Sequence, residues 1–124
     1  MSKDTINLSI PKKAEYISIV RLTASGLANI MSLNIDDIED IKVCVGEACI
    51  NSLITKDNKK ISVIFEREEE KIIVKISDTL EIIPEDIKEK RDRDLGLLII
   101  KSLMDEVNFT ENGIEMIKNI EVDD

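Results

Sequence analysis

The chain has 124 residues, 26 of them acidic and 17 basic, for a net charge of −9 and a pI near 4.6. That length suits one domain (residues 1–124) with a core of its own, and the negative charge repels phosphate backbones, so proteins or small ligands are expected as partners and direct nucleic-acid binding is not. The absence of histidine removes the commonest metal ligand and the usual triad base, which argues against a zinc site or a Ser-His-Asp hydrolase. No apolar run approaches the ~20 residues of a membrane span, and Met1-Ser2-Lys3-Asp4 lacks the apolar core of a signal peptide. Cys44 and Cys49 fall five residues apart in one predicted helix, where their side chains diverge, so no disulfide is expected between them and a reduced, cytoplasmic setting fits.

Thr5 to Ile10 alternates polar and apolar residues and ends at Pro11, the pattern of a half-buried strand. From about Lys13 the period changes. Ile17, Val20, Ala24, Leu27 and Met31 recur at three- and four-residue steps, predicting an amphipathic helix. Asn34 then precedes Ile35-Asp36-Asp37, whose carboxylates suit the positive end of a second helix running to about Ile54. On it, Ile38, Ile41, Val45, Ala48 and Ser52 form a stripe expected to meet the core, and Asp40, Cys44, Glu47 and Asn51 one expected to border a cleft. Lys60 to Phe65 and Lys71 to Ser77 read as a hairpin across the charged turn Glu66 to Glu70, with Ile72, Val74 and Ile76 inward. Asp78 to Asp94 is charged and irregular; Pro84 to Lys90 reads equally as a short helix or a mobile loop. Leu95 to Met104 is a predicted apolar helix, and Glu106 to Phe109 with Ile114 to Ile120 a second hairpin. The order β-α-α-β-β-α-β-β indicates an α+β two-layer sandwich, with helices on one face of a mixed, mainly antiparallel sheet.

The chemistry is carried by Gly46-Glu47-Ala48-Cys49-Ile50-Asn51, which puts a carboxylate and a carboxamide four residues apart on one helix face. A carboxylate can accept a proton or orient a water, and an amide oxygen can ligate a hard cation such as Mg²⁺. Together they point to phosphoryl chemistry.

Glu47-x-x-x-Asn51 on a helix, Asp78 at a strand end, and Asp94-Leu95-Gly96-Leu97 opening another helix occur in the order of the GHKL, or Bergerat-type, ATPase and kinase superfamily. More closely, Ile10-Pro11-x-x-x-Glu15-Tyr16, Arg21-Leu22-Thr23, Asp37 to Lys42 and Leu95 to Val107 resemble the anti-sigma-factor serine kinases of the RsbW and SpoIIAB type over nearly the whole chain. The resemblance implies Glu47 as the catalytic carboxylate assisting a partner serine, and Asn51 as the ligand of Mg²⁺ on the phosphates of ATP. It further implies Asp78 as acceptor for the adenine amine, Gly96 at a helix N-terminus beside the phosphates with Leu97 next to it in the cofactor-binding set, and Arg21 as a partner-contacting residue. The partners so implied are a sigma factor, an anti-anti-sigma (STAS-type) protein and a second copy of the chain.

The chain departs from the family where glycines allow the backbone to approach the nucleotide: Leu80, Ile82 and Asp94 stand at those positions. Lys88, Lys90, Arg91 and Arg93 offer positive charge to phosphate instead, although such a run also suits a solvated loop. Three readings follow: an ATP-dependent serine kinase and anti-sigma regulator; a catalytically degenerate module of the same fold with weak or no nucleotide binding; and a small α+β adaptor in which Glu47 and Asn51 are ordinary surface residues.

Overall fold

A computed structural model describes residues 3–120. Its elements are β1 (Asp4–Pro11), a 3-10 turn (Ala14–Tyr16), α1 (Ile17–Ile30), α2 (Ile35–Ser52), β2 (Lys60–Arg67), β3 (Lys71–Ser77), α3 (Lys90–Leu103), β4 (Glu106–Thr110) and β5 (Gly113–Asn119). The strands form one sheet in the order β1-β2-β3-β5-β4, and every pairing is antiparallel. The three helices cover one face of it, the α+β architecture of GHKL ATPase-like domains.

Strand alternation sets the two faces. Ile61, Val63 and Phe65 of β2, Ile72, Val74 and Ile76 of β3, and Ile114 and Met116 of β5 point to the helices and are buried. On the open face Glu66 accepts from Lys3 and Lys75 at 3.3 Å each, and these partners outweigh the cost of burial and hold its carboxyl below the usual value.

Helix α2 starts where expected: the Asn34 side chain accepts from the Asp37 N–H at 2.8 Å, and Asp36 and Asp37 occupy the first turn. It packs between α1 and α3 against the sheet, so two stripes are covered rather than one. Ile41, Val45, Ala48 and Ser52 are buried as expected. Cys44 and Asn51, expected to border an open cleft, are buried too, because α3 and the segment before it, which pairs with Asn51 through Leu80, cover this side of α2, while Asp40 and Glu47 stay half-buried.

The largest difference from the sequence reading lies before α3. This helix starts at Lys90, five residues ahead of Leu95, and residues 84–90 form single turns, with the Ile87 N–H donating to Pro84 O at 3.2 Å and Lys90 N–H to Ile87 O at 3.1 Å. The polar first turn is supported by the Lys90–Asp94 pair at 2.7 Å and the Arg93–Glu47 pair at 3.2 Å. Among the described residues no helix is long and apolar enough to cross a membrane.

Candidate active site

Glu47 and Asn51 lie one turn apart on α2, beneath the segment that leads from β3 into α3. The last turn of α2 grips the exit of β3 at two points. Ser52 Oγ donates to Ser77 O at 2.7 Å; Asn51 Nδ2 donates to Leu80 O at 3.0 Å while Asn51 Oδ1 accepts from Leu80 N–H at 2.8 Å. The Asn51 side chain, 2% exposed, thus pairs both ends of its amide with one peptide unit.

Asp78 sits between those two grips, in a left-handed conformation with φ 60°. Its carboxylate accepts from Lys12 Nζ at 3.0 Å and from Asn58 Nδ2 at 3.1 and 3.3 Å. Lys12 in turn donates to Thr55 O and Thr55 Oγ1 at 3.1 and 2.8 Å, so the buried ammonium is fully used.

Glu47 receives Arg93 Nη1 at 3.2 Å on one carboxylate oxygen, and Gly96 packs directly against that oxygen. A Cβ on residue 96 would collide with it, so glycine here is a condition for seating Glu47 under α3. Gly46 does the same on the other side of α2, where the Arg21 guanidinium lies against its Cα in space a Cβ would take. Arg21 is therefore half-buried, with Leu22 and Ile19 beside it on α1 at 70% and 44% exposure.

The structure brings Glu47, Asn51 and Gly96 into one locus. Leu97 follows Gly96 in sequence, but its side chain is buried in packing. Gly96 lies seven residues into α3 rather than at its N-terminus, so in this conformation its amide is within the helix and is not one of the free first-turn donors. Among the basic residues read as phosphate partners, Arg93 pairs with Glu47 and Lys90 with Asp94, a bond that holds Lys90 protonated to higher pH; Lys88 and Arg91 are exposed. Leu80 contributes its backbone to Asn51, and Ile82 is 82% exposed. Lys12 and Asn58, the partners of Asp78, were not singled out by the sequence, which carries no local signal linking them to a position some twenty or more residues away.

The thiols take no part in polar chemistry. Burial foremost, and then the Asp40 carboxylate, push Cys44 up to about 12 against the opposing charge of Lys118. Burial likewise pushes Cys49 up to about 12, opposed by Arg21, so neither is a thiolate near neutrality.

The model of the histidine kinase-like ATPase domain family matches residues 10–118, which takes in every element from the end of β1 to β5. The chain belongs to this family. Within it, the chain is 38% identical over 132 aligned positions to the serine-protein kinase RsbW of Staphylococcus aureus strain MSSA476, covering 90% of this chain and 83% of the relative. The RsbW proteins of strains MW2 and JH9 match to the same extent. Donor chemistry at the family locus fits Mg·ATP in kind: an amide oxygen at Asn51, carboxylates at Glu47 and Asp78, and a glycine at residue 96 against Glu47. In the present arrangement each of those three side chains is already engaged by the chain itself.

Proposed function

We propose that this protein is an ATP-dependent protein-serine kinase that also acts as an anti-sigma factor, with residues 1–124 working as one histidine kinase-like ATPase domain in the cytoplasm. The observation that carries the reading is the pairing of Glu47 and Asn51 one turn apart on α2, with Gly96 against Glu47, in a chain 38% identical to serine-protein kinase RsbW. When bound, Mg·ATP supplies the phosphoryl group and the divalent charge that neutralises it. Asn51 Oδ1 would hold the metal once released from the Leu80 peptide, and the Asp78 carboxylate would accept from the adenine amine. The backbone at Gly96 and Leu97 would border the phosphates, and the Glu47 carboxylate would orient the partner's serine hydroxyl and take its proton. Positioning does most of the work, because phosphoryl transfer requires little covalent participation from the protein.

The partners in this reading are a sigma factor, held by the α1 surface around Arg21 where Ile19 and Leu22 are exposed, and an anti-anti-sigma protein that receives the phosphate; the chain acts as a homodimer. A second reading, a degenerate binding module of the same fold, is favoured by the engagement of Asn51 with the Leu80 backbone and of Asp78 with Lys12. Phosphate transfer from Mg·ATP to the serine of a cognate anti-anti-sigma protein decides between them. The kinase reading expects transfer by the wild type, reduced at least about 100-fold in Glu47→Ala, with sigma-factor binding retained. Tight sigma binding by a wild type that transfers nothing would assign the degenerate module.

A further inference from the structure

The three residues given chemical roles are not exposed and waiting; each is held by a group of the same chain. Two of the three holders lie at the ends of one stretch, Leu80 to Gly96. Its first residue pairs its peptide N–H and C=O with Asn51, and near its end Arg93 places a guanidinium on Glu47. Between these points the stretch has no strand, and its only helix is the first turns of α3. Ile83, at 2% exposure, is its one deeply buried large side chain before α3, whereas Ile82, Pro84, Glu85, Asp86, Lys88 and Glu89 are exposed. The stretch is thus attached by polar contacts at both ends and a single apolar anchor.

Those polar contacts stand at the atoms a substrate would need. The Leu80 N–H uses the Asn51 oxygen that would face a hard cation, and the Arg93 guanidinium uses the Glu47 carboxylate that would face a hydroxyl. We propose that Leu80–Gly96 is an autoinhibitory latch: Leu80 and Arg93 hold Asn51 and Glu47 in a resting state, and the site becomes competent only when both contacts are released. Arg93 is a positioning residue in this device. Its release is favoured by an anionic ligand, because a guanidinium freed from one carboxylate gains bidentate partners on a phosphate. The chemical roles of Glu47 and Asn51 rest on the kinase reading above; the latch contacts do not.

Hydrogen exchange of the full-length protein, read on peptides covering residues 81–93, tests it without relying on catalysis. In the absence of ligand, Arg93→Gln and Glu47→Gln should each speed exchange in that stretch by about tenfold. The double variant should add little, because both remove the same contact. Arg93→Lys, which keeps the charge and loses the fork, should fall between, and it stands in if Arg93→Gln proves poorly folded. Unchanged exchange in all of these would overturn the latch. In the wild type, Mg·ATP should raise exchange across 81–93 while protecting α2. Mg·ATP binding by calorimetry with no change in 81–93 would also overturn it. If calorimetry detects no Mg·ATP binding to the wild type or to Arg93→Gln, the nucleotide reading of the site fails, and the ligand-free comparison alone supports or overturns the latch.

Discussion

Two regions of this molecule are held together by different forces. Around Phe65, Ile41 and Ile76, side chains from β2, α2 and β3 are buried to 1% exposure or less. Their stabilisation comes from surface removed from water, which no small ligand can supply in their place. Between Thr79 and Gly96 the attachment is a paired amide, an ion pair and one isoleucine. A hydrogen bond or ion pair contributes only the difference between its partner and the alternatives, and metal, phosphate or hydroxyl are competitive alternatives. The first region can therefore serve as a fixed scaffold, and the second can be exchanged for ligand without the scaffold noticing.

Truncation in the scaffold should have the largest effect. Phe65→Ala is expected to lower unfolding stability by about 3–5 kcal/mol, seen as a lower urea midpoint with loss of protection in β2, β3 and α2 together. A loss confined to one strand would mean that the sheet and α2 are not one cooperative unit.

Asn51→Ala sharpens the comparison, because it removes the buried side chain that pairs with the Leu80 peptide. The Leu80 peptide then loses both its partners, at an expected cost of about 1–3 kcal/mol. The urea midpoint should fall by less than for Phe65→Ala, and exchange at Leu80 should rise far more than exchange at Val74. Equal increases at the two positions would mean that the stretch after β3 is as firmly built as the sheet.

A smaller effect, conditional on pH, tests the scaffold from another side. The thiols of Cys44 and Cys49 rise from 9.0 unfolded to about 12 folded, so the folded state holds their protons more tightly. The associated stability is fully present below pH 9 and is lost as pH climbs from there towards 12. At pH 10 the loss is on the order of 1 kcal/mol per thiol. Replacing both with alanine should flatten this part of the stability profile relative to wild type, and a parallel decline in the two proteins would show that neither thiol is coupled to folding.

The same division explains what could be read from the sequence. Apolar periodicity located β1, α1, α2 and both hairpins, because repeated Ile and Val at fixed steps leave few ways to bury them. The start of α2 was legible because acidic residues in a first turn, here Asp36 and Asp37, are a local signal. The start of α3 was not: Lys90 to Asp94 has no apolar period, and its helical form depends on Arg93 reaching Glu47 from 46 residues away. Family-like motifs marked Glu47, Asn51, Asp78 and Gly96 as a set, yet no motif indicates that an asparagine will pair with a leucine peptide or that Lys12 will hold Asp78. Such contacts depend on where the backbone passes, which side-chain identity does not encode.

Lys118 of β5 has a mechanical consequence. Its ammonium donates to Leu103 O at 2.7 Å, at the last turn of α3, and lies 3.7 and 3.6 Å from the carboxylates of Asp37 and Asp40 near the start of α2. One cation therefore pins the far end of α3 to both the sheet and its neighbouring helix. Ten residues back along α3, Arg93 sits about 15 Å from that pin at 1.5 Å per residue. A tilt of a few degrees about Leu103 would displace Arg93 by roughly an ångström, enough to part a guanidinium from a carboxylate while the pinned end barely moved.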